Sequence, residues 1–119
     1  MGERRPDGAL EADVLASLWA ADRPMSPAEV NQALGAVYAY TTVMTVLTRL
    51  WNKGLVTRQA RGRAFAYQPV MSESELATRR MAEMLASAPD RAEVLTGFVG
   101  SLSKRDVRHL RRLLGDTGP

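Results

Sequence analysis

The chain has 119 residues, 45 % of them hydrophobic and 24 % charged, with a formal net charge of +3; it can bury one modest core and is too apolar for a disordered basic tail. It contains no cysteine, which excludes disulfides, thiolate chemistry and zinc sites built from sulfur. No apolar run approaches membrane-spanning length and the start of the chain lacks the pattern of a secretion signal, so an intracellular, cytoplasmic, soluble protein without membrane insertion is expected.

The charge is spread evenly, +2 over residues 1–71 and +1 over residues 72–119. Any surface for nucleic acid must therefore come from local clustering of cations.

Residues 1–8, MGERRPDG, have no periodicity and are expected to form a loose arm. Arg4 and Arg5 either fray into solvent or touch a phosphate backbone or minor groove. A first helix is predicted from about Leu10 to Ala20, with Leu10, Val14, Leu15, Leu18 and Trp19 as its apolar stripe. Asp22 to Met25 breaks it.

Ser26, Pro27 and Glu29 form a helix-start signal, in which a hydroxyl caps free amides, proline fits the first turn and a carboxylate closes a capping box. The short second helix buries Val30, Ala33 and Leu34, and Gly35 ends it. A third helix is predicted from Thr41 to Lys53, with Gly54 as its C-cap position. Val43, Leu47 and Leu50 recur at helical spacing, Val46 and Trp51 widen that face, and Thr42, Thr45, Thr48, Arg49 and Asn52 lie elsewhere.

The period then changes to alternation. Leu55 to Gln59 and Ala64 to Gln68 read as two strands joined by a tip of Arg61, Gly62 and Arg63, with Phe65 and Tyr67 on one side and Pro69 ending the ladder. Three helices followed by such a hairpin make a winged helix-turn-helix, mainly α with a small β-hairpin wing, the economical fold. Its third helix would enter a major groove, and Arg61 and Arg63 would reach phosphate or an adjacent minor groove.

Ser72 with Glu75 forms a second capping box and opens a fourth helix to about Ala86. Pro89 and Asp90 restart a fifth, and Ser103 with Asp106 a sixth that Gly115 ends. Their apolar positions are Leu76, Met81, Met84 and Leu85, then Val94, Leu95, Phe98 and Val99, then Val107, Leu110, Leu113 and Leu114. Three short helices cannot bury these stripes against one another, so a partner chain is expected. The domains are thus a winged-helix DNA-binding domain over 1–71 and a helical dimerisation domain over 72–119. Two-fold pairing would set two recognition helices about one helical turn apart on a near-palindromic double-stranded operator.

Individual residues leave alternatives open. Thr41, Thr42 and Thr45 offer hydroxyls to phosphate or methyls to thymine, whereas the plain reading makes Thr41 an N-cap and the others surface residues. Arg49 and Lys53, one turn apart, either grip phosphate or lie on a solvated face. Tyr38 and Tyr40 either each donate to phosphate, or one of them fills the core beside Trp19. His109, the sole histidine, has no companions for metal or acid–base work. No carboxylate pair, phosphate loop or activated nucleophile is present, so neither an enzyme nor a cofactor is expected. Two other functions remain open at this level, a winged-helix module that binds another protein and a regulator that senses a small molecule.

LEADVLASLWA near the start, AYTTVMTVLTRLWNKGLVTR through the third helix and GRAFAYQPV in the hairpin resemble the penicillinase and methicillin-resistance repressor family over nearly the whole chain. The resemblance implies a bacterial homodimeric repressor on a dyad operator, often at genes for beta-lactamase and antibiotic resistance. It also implies that Thr41, Thr42 and Thr45 touch DNA with Tyr40 leading into them, that Arg61 and Arg63 lie in the wing, and that the helices after Ser72 dimerise. In family members governed by membrane proteases, cleavage falls between asparagine and phenylalanine within the dimerisation region. Here the comparable segment is Thr96, Gly97, Phe98 and Val99, with glycine before phenylalanine. Copper-responsive relatives use a cysteine motif that this chain lacks.

Overall fold

A computed structural model describes residues 7–115; Arg4 and Arg5 of the expected arm lie outside the described residues. The elements are α1 (Asp7–Ala21), α2 (Pro27–Ala33), α3 (Tyr40–Asn52), β1 (Val56–Arg61), β2 (Ala64–Pro69), α4 (Glu73–Ala86), α5 (Arg91–Gly100) and α6 (Lys104–Leu113). The chain divides into two compact units, one through Leu76 and one from Ala77 onward.

The first unit is a winged helix-turn-helix. Its core joins Val14, Leu15 and Leu18 of α1, Val30 of α2, Val43, Val46, Leu47 and Leu50 of α3, Val56 of β1 and Tyr67 of β2. The helical spacing within α1 and α3 sets these residues on one face, and burying each large aliphatic side chain contributes on the order of 1.5–3 kcal/mol. Two expected members of that core are not in it: Ala33 is exposed and Trp51 is 40 % exposed, because both lie at the margin of their helices' apolar arcs.

The local stop and start signals act as their chemistry requires. Ser26 Oγ accepts from the Glu29 amide at 3.2 Å, and Glu29 Oε1 accepts from the Ser26 amide at 2.9 Å, so two free donors at the start of α2 are satisfied reciprocally. Gly54 follows α3 with φ +76°, a backbone state that favours glycine. The start of α3 differs from expectation: its N-cap is Ala39, without a side-chain hydrogen bond, and Thr41 lies inside the helix. The linker before it is instead pinned by Asn31, whose Nδ2 donates to the Tyr38 carbonyl at 2.8 Å.

The hairpin is antiparallel and in register from Val56 opposite Pro69 to Arg61 opposite Ala64. Arg61 therefore belongs to β1, and the turn proper is only Gly62 and Arg63. Gly62 takes φ +63° at the first turn position, where type II′ connections favour glycine. A third strand fragment escapes sequence reasoning: Met25 and Tyr67 exchange amide hydrogen bonds at 2.9 and 2.8 Å. One residue is too short to carry a period. Trp19 Nε1 donates to the Met71 carbonyl at 3.0 Å, tying α1 to the chain that leaves the wing.

In the second unit, Asp90 caps α5 by accepting from the Glu93 amide, and Ser103 caps α6 by accepting from the Asp106 amide, both at 3.0 Å. From Ala77 to Gly115 no described side chain is buried. Leu76, expected to pair subunits, is placed otherwise: it is 4 % exposed within the first unit's core. The Ser72–Glu75 capping box fixes the first turn of α4, and that turn packs Leu76 inward.

Candidate nucleic-acid interface

The period of α3 sorts its residues into a buried and an open face. Val43, Val46, Leu47 and Leu50 are buried, so Thr41, Thr42, Thr45 and Arg49 fall on the exposed side. Tyr40, at the first position of the helix, is 50 % exposed, while Tyr38 is partly buried against the core. The Thr45 hydroxyl donates back to the Thr41 carbonyl at 2.9 Å, which turns its methyl group outward from that bond.

Lys53 stands at the C-cap of α3 and its Nζ is 2.8 Å from Glu11 Oε1 of α1. Arg61 is ion-paired to Glu29 of α2. The two cations singled out for these positions thus meet carboxylates within the chain. Arg63, at the second turn position, has no charged partner among the described residues. Glu29 also pairs with Arg23 at 3.3 Å. Its carboxyl is lowered from 4.5 to about 2, first by the Ser26 amide hydrogen bond and next by Arg61.

Sequence reasoning passed over Arg58. It sits in β1 opposite Tyr67, and its guanidinium carbon lies 3.9 Å from the centre of the Trp51 ring and 4.3 Å from that of Phe65. Phe65 meets Tyr67 edge to face at 6.5 Å. The available signal was alternation along β1, which puts Arg58 on the same face as Val56, next to the helix end that carries Trp51.

In the second unit, an apolar groove of about 330 Å³ runs between α4 and α5, lined by Met81, Ala82, Met84, Leu85, Val94, Leu95 and Phe98. Val99, Leu113 and Leu114 are exposed, the last at 76 %, while Val107 and Leu110 of α6 are half-buried.

The sequence matches the Penicillinase repressor family over residues 8–116. The chain belongs to the penicillinase repressor family. It is 40 % identical over 114 residues to the transcriptional regulator BlaI of Mycobacterium tuberculosis, in strains CDC 1551 / Oshkosh and ATCC 25618 / H37Rv, covering 92 % of this chain and 83 % of the relative. As a member of the family it is a sequence-specific DNA-binding transcriptional repressor. Among solved structures, hsRosR-S1 is similar with a TM-score of 0.50 and 18 % identity, covering 86 % of this chain and 93 % of that one; at that identity the likeness concerns the fold.

Among the described residues no group of three or more His, Cys, Asp or Glu could hold a metal ion, and no helix is long and apolar enough to cross a membrane. His109 is exposed, with its Nδ1 3.4 Å from Arg112 Nη2.

Proposed function

We propose that this family member represses transcription in the cytoplasm as a homodimer on a near-palindromic double-stranded operator, with α3 in the major groove and the wing on the adjacent backbone. The observation that carries the reading is the division of α3. Its aliphatic face is consumed by the core, and the opposite face carries three exposed threonines, with Tyr40 at its start and Arg49 toward its end. Such a face fits a groove, where hydroxyls reach phosphate and threonine methyls meet thymine.

Arg61, Arg63, Arg49 and Lys53 would supply the backbone contacts. Lys53 is half exposed while its partner Glu11 is 13 % exposed, so a DNA phosphate would compete with Glu11 for the lysine ammonium. Subunit pairing is supported by the second unit. From Ala77 onward these helices carry no buried side chain among the described residues, and they would gain a core by covering Met81, Met84, Leu85, Val94, Leu95, Phe98, Val99, Val107, Leu110, Leu113 and Leu114 with a second copy. A regulatory protease cutting in this region would release the operator by removing the pairing. The Gly97–Phe98 bond lies inside α5, so cleavage there requires that helix to open.

Binding of the purified protein to the DNA upstream of its own gene, compared with a scrambled duplex at a stated near-physiological salt, tests the reading. Preference for the upstream duplex by a dimer is expected. Equal affinity for both duplexes, or specific binding by a monomer, rejects it.

A further inference from the structure

We propose that Arg58 is a further backbone-phosphate contact of this repressor, its guanidinium pre-oriented by the rings of Trp51 and Phe65. The inference rests on the reading that the wing meets DNA.

Three elements build the arrangement: Trp51 closes α3, Arg58 comes from β1 and Phe65 from β2. Strand alternation directs Arg58 to the face that also carries buried Val56 and Tyr67. At the rim of that face the guanidinium meets one ring at 3.9 Å and the other at 4.3 Å. Trp51 and Phe65 each remain 40 % exposed, so the stack is at the solvent edge and not inside the core.

A guanidinium offers its π faces to rings and its five N–H donors in its plane. With the Arg58 guanidinium carbon over both rings, its N–H donors remain for a partner outside the aromatic pair. Among the described residues no carboxylate or carbonyl accepts from them. In that respect Arg58 differs from Arg61 and Lys53, which hold Glu29 and Glu11. A planar fork with fixed orientation and unused donors suits the two oxygens of a phosphate, and it loses less freedom on binding than a mobile side chain does.

A strut that only fastened the wing to α3 would need no charge, since an apolar side chain could cover the same two rings. The two roles part in their response to salt. Each phosphate neutralised by a cation contributes about 0.9 to the slope of log affinity against log salt. A change in packing alone lowers affinity and leaves that slope unchanged.

The test uses the full chain, a labelled duplex from upstream of its own gene and a scrambled duplex of equal length, titrated across a salt series. Arg58→Gln is expected to lower the slope by about 0.9 per bound protomer on both duplexes. Arg58→Lys is expected to keep the slope and bind several-fold more weakly, because an ammonium lacks the planar fork. An unchanged slope in Arg58→Gln overturns the contact. If that variant fails to fold, Arg58→Lys decides alone, and affinity equal to the parent's overturns the inference. Because sequence-independent binding also reports the slope, a parent protein that fails to prefer the upstream duplex rejects the operator reading, while the slope of Arg58→Gln against the parent's still decides the Arg58 contact.

Discussion

Arg61 of the wing is held by Glu29 of the second helix, residues 32 positions apart in sequence. The same carboxylate closes the capping box on Ser26 and pairs with Arg23. One side chain thus fastens a helix start and restrains a wing cation.

Glu29 titrates near 4.5 in an unfolded chain and about 2 in the folded one, so its ionised form favours folding. That contribution is complete above about pH 4.5 and is lost as pH falls through 2. Glu29→Gln removes it. Thermal unfolding of the two proteins should therefore diverge most above pH 5 and converge toward pH 2. Glu75 is lowered as well, by its hydrogen bonds with Ser72, but it is common to both proteins and cancels. A gap independent of pH would contradict the assignment.

Affinity for the upstream duplex should depend on which wing arginine is removed. Arg61 must give up Glu29 before it can hold a phosphate, and Arg63 has no such competitor among the described residues. Arg63→Ala is expected to cost more affinity than Arg61→Ala. In the Glu29→Gln background the two losses should become similar. Fluorescence anisotropy with the two parents and the four variants measures this directly, and a larger loss for Arg61→Ala in the native background would refute it.

Tyr67 is fully buried and its hydroxyl has no hydrogen-bond partner among the described residues. A buried polar group left unsatisfied costs about 1–3 kcal/mol. Tyr67→Phe keeps the ring, so it should stabilise the first unit by about 1 kcal/mol and raise its melting temperature by roughly 4–8 °C. Calorimetry would show the opposite sign if the hydroxyl has a role in folding.

Leu76 and Phe98 should behave as different classes of residue. Leu76→Ala opens a cavity in the first unit and is expected to cost about 2–5 kcal/mol in unfolding. Phe98 is 42 % exposed in the chain alone. Phe98→Asp should leave the melting of the first unit in place and shift sedimentation from dimer to monomer. A dimer of unchanged affinity in Phe98→Asp would remove α5 from the pairing surface.

The parts of the fold that were legible in the chain are those made by neighbours. Ser26 with Glu29, Ser72 with Glu75 and Ser103 with Asp106 lie three residues apart, and each pair joins in sequence the groups it joins in space. The same holds for the helical period that buries Val43, Leu47 and Leu50, and for Gly62, whose freedom at positive φ fits a two-residue turn. The candidate face of α3 was legible because the buried set fixes the exposed one.

What the sequence by itself determined was therefore the order and kind of the elements, and the resemblance of its third helix and wing to a repressor family. Only the tertiary structure decided which charges are engaged, because Lys53 meets Glu11 across 42 residues and Arg61 meets Glu29 across 32. It likewise decided that Leu76 completes the first core, that Met25 extends the wing's sheet, and that the Arg58 guanidinium lies over two rings from other elements. A local rule reaches about one turn of helix or one pair of strand positions. Contacts between distant segments depend on how the elements pack, and no spacing within one element records them.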